Sequence, residues 1–245
     1  MLEKVLGFVE KFQILILGLL FAFVLFGVAH IIVSALPNDG ITVTGSASKI
    51  VQSDNGVLDF NINAREATRK LSHAKVQAQI PVVKKYLISK GIAEKDINIK
   101  TPHGYMSYKM LYNGNSSNEP DHYNYYQPVS VKSNDVNKIK DLSLDIANLM
   151  NQGIDIDVSA PEYYYSKLSD LKIDLLKEAT TDAKQRASAM LKSTHNRTGK
   201  IQSVRMGVFQ ITDANSTDVS DGGIYDTSSI EKKVTAVANV IFKIK

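Results

Sequence analysis

From Ile14 to Leu36 the chain reads ILILGLLFAFVLFGVAHIIVSAL, a run without a fixed charge in which His30 is the single titratable side chain. At about 1.5 Å of rise per residue, a helical run of this length reaches across the ~30 Å hydrocarbon core of a bilayer. Backbone groups in lipid must be satisfied internally, so the pattern predicts one transmembrane helix. Signal-peptide apolar regions are typically ~7–15 residues long, which favours a retained anchor. The small residues Val33-Ser34-Ala35 keep cleavage, with release to the periplasm, as the alternative. Lys4 and Lys11 precede the run, and no Lys or Arg follows until Lys49. Basic residues stay on the cytoplasmic side. The expected topology is therefore single-pass in the inner membrane, with a cytoplasmic N-terminus and the remaining chain outside. The division is a short N-terminus at 1–13, an anchor at 14–36, a Pro- and Gly-containing linker at 37–40 and one domain at 41–245.

Beyond the linker the periodicity switches. Ile41-Thr42-Val43-Thr44-Gly45 and Val57 to Asn63 alternate with the period of two that marks half-buried strands, and Asn55-Gly56 supplies a turn. A helical pattern covers Glu66 to Lys90, with Ala67, Leu71, Ala74 and Ala78 on one stripe, a break or kink expected at Pro81, and Gly91 as terminator. A strand starts at Ile97 and runs towards Lys109. Tyr112–Asp121 reads as a polar loop, and His122–Ser133 as the returning strand. Val136, Ile139, Leu142, Ile146 and Met150 predict a second helix behind an Asn134 or Asp135 cap. Ile154 to Val158 alternates strictly. The third helix carries Leu168, Leu171, Leu175, Ala179, Ala183, Ala187 and Met190 at helical spacing. Strands near Ile201–Ile211 and Lys232–Ile244 close the chain around a Ser-, Asp- and Gly-rich loop, Asp213–Ser229, expected to be mobile. The order β-β-α-β-β-α-β-α-β-β lacks strict βα alternation. The fold class is α+β, with helices packed on mixed or antiparallel sheets, preceded by the transmembrane helix.

Composition narrows the chemistry. The chain has 245 residues, 44% hydrophobic, with a formal net charge of +4. That supports a folded core, and the Lys and Arg residues look scattered, so nucleic acid is not an expected partner. There are no cysteines, which removes disulfides, thiolate metal sites and a Cys nucleophile. His30, His73, His103, His122 and His195 show no metal-ligand spacing. No G-x-S-x-G elbow, phosphate loop or dinucleotide fingerprint occurs. Asp155 and Asp157 share one strand face, which reads as solvated rather than as a cation site. No cofactor and no catalytic residue is expected.

Three segments carry a family resemblance. Ile41–Gly45, Gly91-Ile92-Ala93-Glu94-Lys95-Asp96-Ile97, and Ala179 with Asp182-Ala183, Arg186-Ala187 and Gly199-Lys200-Ile201 resemble the opening strand, the helix-to-strand turn and the last helix of the bacterial SIMPL domain family. The resemblance implies an envelope setting, ring-like homo-oligomers in some members, links to oxidative stress, and no catalytic set to carry over.

The remaining oddity is aromatic: 11 Tyr and no Trp. Tyr123, Tyr125, Tyr126 and Tyr163, Tyr164, Tyr165 form two clusters, and Tyr is favoured at interfaces. They are the candidate self-association residues. The expected function is a membrane-anchored, non-enzymatic envelope protein that self-associates or scaffolds an unidentified partner. An extracytoplasmic hydrolase or ligand-binding enzyme with an unrecognised site is the alternative.

Overall fold

The computed structural model describes residues 2–35 and 40–245, and within the first helix the side chains of residues 12, 13, 15–29 and 31. Helix α1 spans Leu2–Ala35 without interruption. Among the described residues no helix is long and apolar enough to cross a membrane. This corrects the anchor expected at 14–36. The single-pass inner-membrane topology, the membrane as partner and the membrane-anchored function fall with it. The side chains of His30, Lys4 and Lys11, and all of Leu36 to Asp39, lie outside the described residues.

The α+β reading holds for the rest. The elements after α1 are β1 (Gly40–Gln52), β2 (Asn55–Glu66), α2 (Arg69–Ser89), β3 (Ile97–Ile99), β4 (His103–Met110), β5 (Ser116–Ser133), α3 (Val136–Asp145), β6 (Asp155–Val158), β7 (Glu162–Tyr164), α4 (Leu168–Lys192), β8 (Thr198–Met206), β9 (Gln210–Asp213), β10 (Ile224–Tyr225) and β11 (Glu231–Ile244). They fall into two compact units, one of residues 44–183 and 205–239, the other of residues 1–43, 184–204 and 240–245.

In the larger unit, β2 and β5 form the long antiparallel pair at the centre of a six-stranded sheet ordered β3-β5-β2-β6, with β4 added to β5 and β7 to β2. Every second residue of β2 (Leu58, Phe60, Ile62, Ala64) is buried, as the period-two pattern requires. These pack with Val129 and Val131 of β5 and with residues of α2 and α3 in one core.

The helix faces depart from the sequence reading on all three helices; on α4 Met190 is exposed and Leu191 is buried in its place. On α2 the buried residues are Ser72, Val76, Val83 and Leu87, whereas Leu71, Ala74 and Ala78 of the expected stripe are exposed and Ala67 precedes the helix. Ser72 can lie on the core face because its hydroxyl donates to the Tyr123 carbonyl at 2.8 Å. The helix also passes through Pro81 unbroken, since its buried face outweighs one missing N–H donor. On α3 the stripe runs Ile139, Leu142, Ile146 and then Leu149, with Met150 exposed. From Ile146 to Gln152 the chain tightens into a 3-10 turn, whose three-residue repeat moves the next core position from i+4 to i+3.

The same unit holds residues 44–52 of β1 and 231–239 of β11, together with β9 and β10, in the pairing order β1-β11-β9-β10. Gly45 of β1 lies against α4: an added Cβ would stand 2.1 Å from the Ala179 carbonyl oxygen and 2.7 Å from the Ala183 Cβ. The small residues at 45, 179 and 183 thus set how closely strand and helix approach. Asp182 reinforces the contact by accepting the Ser46 N–H at 2.9 Å. In the smaller unit the end of β11 pairs with β8, and just beyond both strands Arg197 and Lys245 exchange backbone bonds at 2.7 and 2.8 Å.

Candidate functional site

The two tyrosine clusters sit at opposite ends of β2. Tyr123, Tyr125 and Tyr126 pair with Glu66, Ala64 and Asn63, while Tyr163 and Tyr164 pair with Gly56 and Asn55. Gly56 and Asn63 are seven residues apart on one strand, roughly 23 Å at about 3.3 Å per residue. The structure therefore does not gather the six tyrosines into one surface.

Within the first cluster alternation separates the side chains. Tyr125 points to the core, 5% exposed, with its ring edge-on to His73 at 5.7 Å. Burial pushes its phenol pKa up. Tyr123 packs half-buried on the same core, and its ring covers Gly104, where a Cβ would come within 2.8 Å of the ring. Tyr126 faces the other way. It stacks on His103 at 5.3 Å and Tyr105 at 6.2 Å between centroids. A hydrogen bond with Tyr105, then burial, push the Tyr126 phenol pKa up. Asn124 on the same face donates to the Ser107 hydroxyl at 2.7 Å, which ties β4 to β5 beneath the aromatic stack.

β4 pairs with β5 alone among the described residues, so its other edge is free. Beyond the stack the β4–β5 hairpin carries Tyr108, Met110, Leu111 and Tyr112, all exposed, Tyr112 completely. The register slips on both sides of Tyr108. The sequence pattern puts Tyr112 in a polar loop and leaves Tyr105, Tyr108 and His103 out of the candidate set. The signal that could have found them is the spacing of Tyr105 and Tyr108 on the strand opposite Tyr123–Tyr126.

The second cluster is enclosed. Tyr163 is 4% exposed, and burial pushes its phenol pKa up. The Tyr164 hydroxyl donates to Glu162, which with burial pushes its pKa up to about 12. Tyr165 is half-buried. All three line a space of about 10 Å³ with Ile211, Tyr225, Asp226 and Lys232, room for roughly one water. Lys232 is buried there. Its ammonium donates to the Asp226 carbonyl at 2.8 Å and to the Asp226 carboxylate at 3.3 Å. Burial pulls the Lys232 pKa down against the attraction of Asp226. For Asp226, burial acts upward, but the hydroxyls of Ser228 and Ser229, the Ser228 N–H and the Lys232 ammonium overcome it, and its carboxyl titrates far below the usual range.

This pair organises the loop between Asp213 and Ser229. β10 forms within it, paired parallel to β9. The Gln210 side chain donates to the Ser220 carbonyl and accepts its N–H, and the Tyr163 N–H donates to the Thr227 carbonyl. A loop expected to be mobile is laced to both of its neighbours.

Asp155 and Asp157 are exposed on β6, opposite Asn63 and Asn61. Among the described residues no group of three or more His, Asp or Glu side chains could hold a metal ion. His122 Nδ1 contacts its neighbour Asp121 at 2.8 Å.

No curated protein matches the chain. The opening strand with Gly45, the turn at Gly91–Ile97 and the Ala179–Ala183 helix follow one another in that order within the larger unit, and the model of the SIMPL family, described as proteins of unknown function (DUF541), matches residues 41–242, so the chain belongs to that family.

Proposed function

We propose that the SIMPL domain acts by binding rather than by catalysis, and that copies of this chain associate through the open aromatic end of the β4–β5 hairpin. The observation that carries the reading is the hairpin itself: a free strand edge with Tyr105, Tyr108, Met110, Leu111 and Tyr112 all exposed. Large apolar side chains clustered on a surface favour a partner. Tyrosines supply area at low entropic cost and suit interfaces. A hairpin edge also meets a second copy of itself around a two-fold axis without new chemistry. The most strongly shifted carboxylate, Asp226, supports the non-enzymatic side. Its carboxylate is taken up by Lys232, Ser228 and Ser229, which hold it as a structural anion with room beside it for about one water.

Sedimentation velocity of the full chain tests the proposal. The expected result is a concentration-dependent oligomer at micromolar concentration, weakened more than tenfold by Tyr105→Ser/Tyr112→Ser, because truncated interface aromatics commonly cost about 2 kcal/mol. A wild-type chain that stays monomeric at high micromolar concentration overturns self-association. An oligomer indifferent to the double substitution overturns the assignment to the hairpin.

A further inference from the structure

Charge in this chain is segregated. Residues 184–204 carry five Lys or Arg, residues 240–245 carry two more, and neither segment contains an Asp or Glu. Scattered in the linear reading, these cations share one unit of the fold. Within it the end of α4 and the start of β8 enclose an open cleft of about 740 Å³, lined by Lys184, Ser188, Lys192, His195, Arg197 and Thr198, together with Asn196. Among the described residues no carboxylate lines it.

The construction follows from helix geometry. Lys184, Ser188 and Lys192 recur at i, i+4 and i+8, so they line one face of the last turns of α4. The chain then reverses through His195, the one non-glycine residue with positive φ (61°) among the described residues. His tolerates this left-handed conformation better than most residues. The reversal returns Arg197 and Thr198 to the same face, where the Thr198 and Ser188 hydroxyls lie 2.9 Å apart. A helix C-terminus would ordinarily repel an anion through its free carbonyls. Here the amides of Thr194 and Asn196 donate to the Leu191 carbonyl and that of His195 to the Lys192 carbonyl, so these carbonyls are turned into the helix end.

We infer that this cleft binds a phosphate-bearing ligand. Two ammonium groups and a guanidinium match a phosphate dianion better than a singly charged carboxylate, and the guanidinium fork fits two of its oxygens. The Ser188 and Thr198 hydroxyls and the Asn196 amide add neutral donors, and the volume lies within the range of small-ligand sites. The phosphate could belong to a free phosphomonoester or to a lipid headgroup, and both offer the same oxygens.

The test is titration of the full chain with inorganic phosphate and with glycerol phosphate, followed by amide chemical shifts, beside sedimentation with phosphatidylcholine vesicles with and without phosphatidic acid. Saturable shifts confined to residues 184–198, weakened at least tenfold by Lys192→Gln/Arg197→Gln and again by Lys184→Gln alone, are expected. These side chains are exposed, so melting temperatures of the variants should match wild type and separate lost binding from lost folding. Binding only to phosphatidic acid vesicles, with the same sensitivity, assigns the phosphate to a headgroup. Absence of saturation by either phosphate together with absence of vesicle binding overturns the inference, as does binding that the substitutions leave unchanged.

Discussion

Two tyrosine clusters of similar composition, joined by one strand, each bury one ring in the interior, Tyr125 and Tyr163, and differ in what covers the others. Tyr163–Tyr165 is closed over by the loop before β11, with a buried ion pair beneath it. Tyr123–Tyr126 lies where β4 adds a single hairpin and nothing further covers the sheet edge among the described residues. The difference does not reside in the tyrosines. It resides in the segments that return to them: a hairpin too short to enclose the first cluster, and for the second a loop with its own capping chemistry. An aromatic cluster therefore becomes core or contact surface according to its tertiary cover, and the two ends of β2 can be separated by experiment.

Removing the ammonium beneath the closed cluster should have the largest effect. Lys232→Ala leaves the Asp226 carboxylate in its enclosure without its cation, and breaking such a pair typically costs about 3–5 kcal/mol. Urea unfolding should show a loss of that order, and a loss below about 1 kcal/mol would mean that the serines alone hold Asp226. Truncating the aromatic wall comes next. Tyr163→Ala opens a cavity in a packed site and should cost about 3 kcal/mol by the same measurement.

The acid limb sharpens the closed side further. Because the fold depresses the Asp226 pKa, the unfolded chain binds a proton more readily than the folded chain below the ordinary carboxylate value of about 3.9. The stabilisation from Asp226 is thus complete above that value and is lost progressively as pH falls towards the lower folded pKa. Asp226→Asn should cost about 2 kcal/mol at neutral pH, leaving Lys232 with a weaker partner. Its deficit relative to wild type should narrow as the pH drops below about 4. Parallel profiles for the two proteins across that range would show that Asp226 does not carry the linkage.

Much of this architecture is legible in the sequence. The alternation from Val57 to Asn63 marks the central strand, and Leu171, Leu175, Ala179, Ala183 and Ala187 mark the core stripe of α4, all buried as their spacing requires. The departures have local causes. Helical spacing points to Met150, but a 3-10 turn substitutes Leu149. Hydrophobicity favours Leu71 over Ser72, because it does not reveal that a hydroxyl will find the Tyr123 carbonyl. The loop at Asp213–Ser229 has the composition of a mobile segment, and only its distant partners, Gln210, Tyr163 and Lys232, give it a fixed path. The candidate site is half legible. Tyr126 stands out in the sequence, but its partners His103 and Tyr105 come from another strand, and register cannot be read from composition. The basic cleft is hidden when cations are counted over the whole chain, where Asp and Glu elsewhere dilute them.

The smallest effect on stability is expected at the open end, and it decides the comparison. Tyr126 packs on His103 and Tyr105 but lies on the face away from the core. Tyr126→Ala removes aromatic contact without opening a closed cavity, so the surrounding water fills the space. Its cost should stay below about 1 kcal/mol, the range of substitutions outside the packed interior. The same change strips the support from beneath Tyr105, whose ring then loses the orientation it presents to a partner. Association measured by sedimentation should weaken while the melting temperature moves by less than that of Tyr163→Ala. The pairing of the two variants supplies the control, since Tyr163→Ala should unsettle the fold without touching the hairpin surface. If Tyr126→Ala destabilised the chain as much as Tyr163→Ala does, Tyr126 would belong to the packed interior as Tyr125 does, and the contrast between the two ends of β2 would disappear. If it left both stability and association unchanged, the stack would have no part in holding the hairpin surface together.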